Sequence, residues 1–224
     1  MDNNMTYSDM NNVEKNVAKR SDLHLMRKFW HMGTGSLALF LFYSTGLDKS
    51  YWVTLAFVVA VGGLIFDLFR LKSQRVNKLA FKFGGLFYRE SEKSNISGLP
   101  FYALGVALSL LFYKQEIAIL SIFFLVFSDP LSSLIGVLYG SEKILPNKSL
   151  QGSAAGFCTC YIISLFYGMY YSPSNPNLLG FALIAGLIGS ISELLSAFNV
   201  DDNLTIPVVS GLGITIINLH FQIF

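Results

Sequence analysis

Seven runs of mostly apolar residues follow one another along this chain of 224 residues. The runs lie at about 29–46, 51–69, 99–113, 116–140, 153–172, 178–198 and 204–222. Because roughly 20 apolar residues in a helix cross the hydrocarbon core of a bilayer, each run is a candidate membrane span. Continuous runs with scattered glycines favour helices over a membrane β-barrel. The pattern therefore predicts an all-α integral membrane protein, a single bundle of about seven transmembrane helices.

The long connection at 70–98 carries a different pattern. Its apolar residues recur at helical spacing, at Val76, Leu79, Ala80, Phe83 and Phe87. Basic residues occupy the other faces, so we expect an amphipathic helix in the cytoplasmic membrane interface. The Gly84-Gly85 pair should weaken or end this helix.

Composition agrees with a membrane protein, and the distribution of charge predicts its orientation in the membrane. Hydrophobic residues make up 53% and charged residues 13% of the chain, whereas a soluble domain carries about 25% charged residues. With a cytoplasmic N-terminus, 14 of the 16 Lys and Arg fall in the inner segments 1–28, 70–98, 141–152 and 199–203. Only Lys49 and Lys114 lie outside, which fits the positive-inside rule. The C-terminus is then expected on the opposite side.

The chain ends and its cysteines add three expectations. The polar segment 1–24 is expected to be a cytoplasmic N-terminal extension of one membrane domain, 25–224. Residues 1–22 lack the apolar core of a signal peptide, so no cleavage is expected. Cys158 and Cys160 point in different directions on a helix, which favours packing over a disulfide or metal pair. The partners expected are membrane and small ligands, with no nucleic acid.

Asp129 is the most unusual polar residue. It lies in "VFSDPLSSLIGVLYG", 11 residues before Gly140, or about 16 Å into the bilayer at 1.5 Å per residue. Pro130 removes a backbone donor there and should break or kink the helix. A carboxylate at that depth needs a cavity, a partner or a cation.

Other polar groups border the spans in five clusters. They are Arg27, Lys28 and His31; Asp67 and Arg70; Arg89 and Glu90; Lys148, Ser149, Gly152 and Ser153; and Glu193 followed by Asp201, Asp202 and Asn203. Each cluster has a plain structural reading: snorkelling cations, an intrahelical ion pair, a solvated loop, a turn, or a cap on the last helix. Pro207 favours a helix start near itself, which would leave the acidic pair in a loop.

The predicted orientation places every cluster on the cytoplasmic side or opening toward it. Mg²⁺ binds carboxylate and phosphate oxygens, while cations and backbone N–H groups neutralise phosphates. The loop at 148–153 combines a lysine with small residues ahead of a helix, although it is not a Walker A motif. Together the clusters predict a site for a magnesium-bound nucleotide.

Four motifs resemble one known family. "RKxxH" at 27–31, "DPLSSLIG" at 129–136, "KSLQGS" at 148–153 and "DDNLTIP" at 201–207 are similar, in this order, to motifs of the integral-membrane CTP-dependent lipid kinases. That group includes dolichol kinase, phytol kinase and CTP-dependent diacylglycerol kinase. The resemblance implies transfer of the γ-phosphate of CTP to the hydroxyl of a membrane lipid alcohol. Gln151 departs from the family pattern, which often has an acidic residue there.

The resemblance also implies functions for individual residues. Asp129 and Asp202 would hold Mg²⁺, and Glu193 or one of the aspartates would accept the hydroxyl proton. The expected nucleotide-binding residues are Arg27, Lys28, His31, Arg70, Arg89, Lys148, Ser149, Gly152, Ser153 and Asn203. Asp67, Glu90 and Asp201 would support them, with Asp201 open between helix cap and ligand.

Three other classes of membrane protein are alternatives. A CTP:phosphatidate cytidylyltransferase would also use CTP and Mg²⁺ but would release pyrophosphate instead of CDP. A transporter would suit a buried aspartate, yet the chain has no repeated halves and its ionisable residues crowd one side. A scaffold without activity would leave Asp129 and the acidic pair unexplained.

Overall fold

The computed structural model describes residues 25–85, 87–198 and 200–224, apart from the side chains of 197 and 198. Its helices are α1 (Leu25–Thr45), α2 (Lys49–Lys72), α3 (Gln74–Gly84), α4 (Gly98–Phe112), α5 (Gln115–Phe123), α6 (Asp129–Tyr139), α7 (Leu150–Tyr171), α8 (Leu178–Leu194) and α9 (Asp202–Phe221). Short 3₁₀ turns lie at Glu90–Lys93 and Leu195–Phe198, and a π-helical turn at Phe124–Ser128 joins α5 to α6. The predicted polar segment 1–24 lies outside the described residues.

The architecture is that of an all-α membrane protein. Four helical segments are long and apolar enough to cross a membrane: α2, the α5–α6 segment Gln115–Tyr139, α7 and α9. Helices α4 and α8 are apolar but shorter. Helix α1 occupies the first predicted run, so each predicted run coincides with a helical segment. A transmembrane count of seven stays a prediction.

The α5–α6 segment forms the centre of the bundle. Phe124, Leu125 and Val126 are completely buried where the π turn begins. The Asp129 N–H donates to the Phe124 carbonyl five residues earlier, which is the π-helical pattern. Pro130 follows directly and lacks the N–H of a regular helix. The expected helix irregularity at Pro130 is therefore present, as a π turn just before the proline.

Small residues allow the helices around this centre to approach closely. A Cβ added to Gly152 on α7 would lie 3.1 Å from Gly136 Cα on α6. A Cβ on Gly105 of α4 would lie 2.4 Å from the carbonyl oxygen of Asn203 on α9. Such contacts between glycines and neighbouring backbone are typical of membrane helix interfaces. They bring α6 close to α7 and α4 close to the start of α9.

Helix α3 matches the predicted amphipathic helix and ends at Gly84. Its Leu79 and Phe83 side chains are exposed, as an apolar face toward a membrane interface requires. Phe87, however, is not part of the helix. It lies beyond the break, with its ring 4.8 Å from that of Trp30 on α1.

Two local expectations are corrected, and the open question about Asp201 is answered. Helix α9 begins at Asp202 and not near Pro207, which lies inside it. The Asp201 side chain caps this helix by accepting the Asn203 N–H. The predicted loop at 148–153 is instead a strand followed by the first turn of α7. Strand β1 (Lys143–Leu145) pairs antiparallel with β2 (Lys148–Ser149), an addition to the all-α prediction.

The two cysteines are free thiols, with Cys160 buried and Cys158 exposed. Cys160 packs in the hydrophobic core, as expected, whereas Cys158 does not.

Candidate active site

A buried ion pair at the end of α2 organises the segment that follows α3. Arg70 Nε donates to Asp67 Oδ1 at 2.6 Å, and both side chains are almost completely inaccessible. The guanidinium also donates to the backbone carbonyls of Glu92 and Asn95 at 2.7 and 2.8 Å. Asp67 Oδ2 accepts from the N–H and hydroxyl of Ser97. The pair thus secures residues 92–97 against the bundle.

Glu92 is the second fixed point of this segment. Its Oε1 accepts from Arg27 at 2.9 Å and from the Gly98 N–H at 3.1 Å. Its Oε2 accepts from the Arg89 N–H at 2.9 Å. One buried carboxylate therefore ties α1 and the start of α4 to the segment that carries Arg89.

Arg89 faces the acidic start of α9. Its Nη2 lies 3.6 Å from Asp202 Oδ1, and the arginine side chain is 41% exposed. Burial opposes the charged form of Arg89, but the charges of Asp202 and Asp129 outweigh it and raise the arginine pKa. The Arg89 side chain is therefore a cation that is accessible from outside and held beside two carboxylates.

Asp129 lies at the centre of the charged cluster. It is close enough to Asp202, Lys148, Glu193 and Arg89 for their charges to interact. The π turn and Pro130 place it at the first position of α6, at the end of the buried central segment. The structure thus brings the three predicted catalytic carboxylates to one place.

Lys148 and Glu193 form the other half of the cluster. Lys148 Nζ lies 2.9 Å from Glu193 Oε1, which also accepts from Ser132 Oγ at 2.6 Å. Burial opposes the charge on Lys148, but Glu193 and Asp129 raise the lysine pKa. The lysine is therefore a cation that is paired with a buried carboxylate.

The first turn of α7 borders this pair. Ser149 caps the helix by accepting the Gly152 N–H at 3.2 Å, so that N–H is already used. Ser153 Oγ, Glu193 Oε2 and Lys28 Nζ are buried and have no hydrogen-bond partner among the described residues. Buried polar groups are normally satisfied, so three such atoms near one cluster indicate a place where a polar ligand binds.

Asp201 and Asn203 complete the start of α9. Asp201 Oδ1 accepts from both the backbone and the side-chain nitrogen of Asn203, at 3.0 and 2.6 Å. Burial and the neighbouring Asp202 charge raise the pKa of Asp201. Asp201 is therefore a helix cap that orients Asn203, and Asp202 is left to face Arg89.

Three predicted site residues lie apart from the cluster. Arg70 is fully buried and bonded within the protein, and Asp67 is its partner. Glu90 is exposed and pairs with Lys93 at 2.5 Å. His31 lies on α1, with Nε2 3.0 Å from the Leu125 carbonyl oxygen. His31 remains near the cluster, since it and Arg27 both lie close enough to influence the ionisation of Asp202.

The carboxylates suit a magnesium ion that is shared with a ligand. Among the described residues, no three His, Cys, Asp or Glu side chains are grouped to hold a metal by themselves. Mg²⁺ usually takes one or two protein carboxylates and completes its shell with phosphate oxygens and waters. Asp129 and Asp202, two interacting like charges, fit that pattern.

A cavity of about 520 Å³ opens beside the charged cluster. Its walls come from α1, α2, α4 and α5 and are mainly apolar. Its polar end is formed by Arg27, His31, Glu92, Ser97 and Asn203. The polar end of the cavity therefore adjoins the charged cluster through two lining residues: Asn203, which follows Asp202 in the chain, and Glu92, which accepts the Arg89 N–H.

Comparison with known proteins gives three informative relatives. The chain is 33% identical to CTP-dependent diacylglycerol kinase 1 of Saccharomyces cerevisiae, over 83% of this chain and 70% of that protein. It is 30% identical to the Schizosaccharomyces pombe protein of the same name, over 83% and 89%. It is also 30% identical to probable phytol kinase 3 of Glycine max, over 88% and 64%. The chain belongs to the family of membrane CTP-dependent lipid kinases.

No protein-family model and no solved structure matches the chain. Membership of the lipid kinase family agrees with the resemblance of the four motifs. Gln151, the departure from the family motif, bonds to Ser141, which lies between α6 and β1, and not to the charged cluster. The residue type at position 151 therefore affects contacts outside the charged cluster.

Sequence reasoning missed two residues that this lipid kinase uses to build the site. Glu92 lies in "RESEK", where two glutamates two positions apart look alike, and only the fold distinguishes them. Ser132 lies within the recognised "DPLSSLIG" motif, one of two adjacent serines, and it alone contacts Glu193. Its position within the recognised motif could have identified Ser132 as a candidate site residue.

The two glutamates allow a matched test of the site's framework. We expect Glu92→Gln to lower the free energy of unfolding by about 2 kcal/mol, because it removes the charge that pairs with Arg27 in a buried position. Glu90→Gln should change it by less than about 0.5 kcal/mol, since exposed ion pairs contribute little. Denaturant unfolding of the full chain in detergent measures both, and equal effects would contradict the framework described for Glu92.

Proposed function

We propose that this chain transfers the γ-phosphate of CTP to the hydroxyl of a membrane lipid alcohol, with diacylglycerol as the first candidate acceptor. The observation that carries the proposal is the cluster of carboxylates and cations at the end of an apolar cavity. Diacylglycerol is preferred because the Saccharomyces cerevisiae and Schizosaccharomyces pombe relatives, both named CTP-dependent diacylglycerol kinase 1, are 33% and 30% identical to this chain. A linear isoprenoid alcohol is the second candidate, supported by the relatives named phytol and farnesol kinases.

In this proposal the cations bind the phosphates of CTP. Arg89 is partly exposed beside Asp202, and Lys148 is fixed by Glu193, so both cations are positioned before the nucleotide arrives. The Ser153 hydroxyl and Lys28 ammonium, buried without partners among the described residues, add donors at the same place. Phosphoryl transfer depends mainly on such positioning and charge neutralisation.

The reaction exchanges one bond to phosphorus for another. The lipid hydroxyl oxygen bonds to the γ-phosphorus, the bond from that phosphorus to the β–γ bridging oxygen breaks, and CDP leaves. The hydroxyl proton passes to a carboxylate of the cluster. Glu193 suits this function because its Oε2 has no other partner among the described residues. A Cβ on Gly156 would lie 2.9 Å from that oxygen, so the glycine keeps the space beside it open.

Asp129 and Asp202 would hold Mg²⁺ in the complex with CTP. When bound, the ion neutralises phosphate charge and orients the phosphate oxygens. The two aspartates would otherwise repel each other, with Arg89 and Lys148 as the neighbouring cations that offset this repulsion.

The test of the proposed reaction is a product analysis with purified protein. We expect CTP labelled at the γ-phosphate to give labelled lipid phosphate and unlabelled CDP with diacylglycerol in the presence of Mg²⁺. A parallel panel with a linear isoprenoid alcohol and with ATP defines acceptor and donor. A further sample contains phosphatidate as the acceptor. Release of pyrophosphate with formation of a CDP-lipid in that sample, and no phosphorylation of any alcohol, would instead support a cytidylyltransferase and overturn the kinase proposal.

The metal-binding aspartates can be tested with a matched control. Asp129→Asn and Asp202→Asn should each lower kcat by at least about 100-fold, because each removes a charge that positions the transferred phosphate. Asp48→Asn should leave activity unchanged, since Asp48 is exposed before α2 and its side chain makes no cap bond. Unfolding curves must show that all three variants fold, and full activity of both site variants would overturn the assignment.

We also propose seven transmembrane helices, a cytoplasmic N-terminus and a C-terminus on the opposite side. The distribution of 14 of 16 basic residues supports this topology, which places the charged cluster on the cytoplasmic side. Two exposed serines provide a matched test, Ser94 before α4 and Ser174 between α7 and α8. In a background without Cys158 and Cys160, an impermeant maleimide should label Ser174→Cys in intact cells. Ser94→Cys should react only after permeabilisation, and the reverse pattern would invert the topology.

A further inference from the structure

The cavity beside the charged cluster follows one face of α1. The α1 residues that line it recur at helical spacing from Arg27 through His31, Thr34 and Ala38 to Phe42. Phe42 lies fifteen positions after Arg27, which corresponds to about 22 Å of helix at 1.5 Å per residue. The cavity is therefore a long channel parallel to a helix axis.

The wall chemistry changes along this channel. Away from the cluster the lining is apolar, with Ala38, Phe42, Ala56, Val106 and Ile122 from four different helices. At the cytoplasmic end it becomes polar, where Arg27 pairs with Glu92 and Asn203 is held by Asp201. A channel of this kind suits a molecule with one polar end and one long hydrocarbon chain.

The packing of the helices leaves the channel open toward the surrounding bilayer. Helix α1 contacts the π turn and α6, whereas α2 packs on α4 and α3. Most of α1 is not buried, with Gly35, Leu39 and Phe42 as its buried residues. The channel therefore lies between two helices with little direct contact, where a lipid can enter sideways from the bilayer.

We propose that this channel holds one hydrocarbon chain of the acceptor lipid, with the reacting hydroxyl at the Arg27–His31–Asn203 end. The inference rests on the proposed function for the identity of the ligand. One leaflet supplies about 15 Å of the roughly 30 Å hydrocarbon core, so a channel of about 22 Å is long enough for a whole chain. The polar end adjoins Asp202, because Asn203, which lines that end, is the next residue in the chain. The acceptor hydroxyl would thus be delivered to the metal-binding aspartates from the membrane side, while CTP enters from the cytoplasm.

Photolabelling tests the channel without depending on turnover. The probe is a diacylglycerol with a diazirine at the end of one acyl chain, added to the full-length protein in lipid nanodiscs. We expect the label on peptides that contain the deep lining residues Leu39, Phe42, Val106 and Leu110. Excess unlabelled diacylglycerol should compete. Label confined to the outer, exposed faces of α1 and α2 would overturn the proposal.

Enzyme kinetics provide a second test with matched substitutions. Ala38→Phe on α1 and Ala56→Phe on α2 place a ring inside the channel, and both alanines line it. Leu37→Phe and Val58→Phe place the same ring on exposed positions of these helices, 57% and 62% accessible. Each methylene kept out of an apolar site costs roughly fourfold in affinity. We therefore expect KM for a long-chain diacylglycerol to rise at least about tenfold in the first two variants only.

Two controls separate the outcomes. The KM for CTP, and for a dihexanoyl acceptor that reaches only the polar end, should change less than about twofold in all four variants. An unchanged KM for the long-chain acceptor in both alanine variants would overturn the channel assignment. Deep labelling of a wild-type protein that phosphorylates no lipid alcohol would support the lipid site and overturn the proposed function, so the two fail separately.

Discussion

The geometry of the site depends on one fully buried guanidinium. Arg70 bonds to Asp67 within α2 and to two backbone carbonyls of the segment that follows α3. Removing one partner of a buried ion pair typically costs 3–5 kcal/mol, so the pair strongly stabilises the position of this segment. Glu92 then bonds to Arg27 on α1 and Arg89 reaches Asp202 on α9. A connection of little regular structure thereby acquires the rigidity that a catalytic site needs.

Charge balance is the second constraint. Three carboxylates, Asp129, Glu193 and Asp202, lie close together at the end of an apolar bundle, where isolated charges are costly. Lys148 and Arg89 offset them in part, and each is held by one of these carboxylates. A metal ion would add positive charge next to the carboxylates, and a polyphosphate would add negative charge next to the lysine and the arginine. This complementarity suits a magnesium nucleotide better than either component alone.

The two proposed substrates approach the cluster from different media. The polar end of the apolar channel between α1 and α2 adjoins the cluster at Asn203, whereas the Arg89 side chain is partly exposed. Reactants that do not mix in solution can therefore meet at one pair of aspartates. The π turn contributes directly, because it places Asp129 at the end of the most buried helix while Leu125 presents its carbonyl to His31.

The sequence by itself determined the class of the protein, the helical runs and the grouping of polar motifs on one side. These properties follow from local composition and from the bilayer, which requires long apolar helices and penalises isolated charges whatever the fold. The tertiary structure decided which members of each motif face one another. Arg70 is a buried anchor, Asp201 is a cap, and Glu92 rather than Glu90 bonds to Arg27. It also decided the channel along α1, whose walls come from segments far apart in the chain. Local periodicity carries no information about such pairings, because they are set by how helices pack and not by the order of residues within each helix.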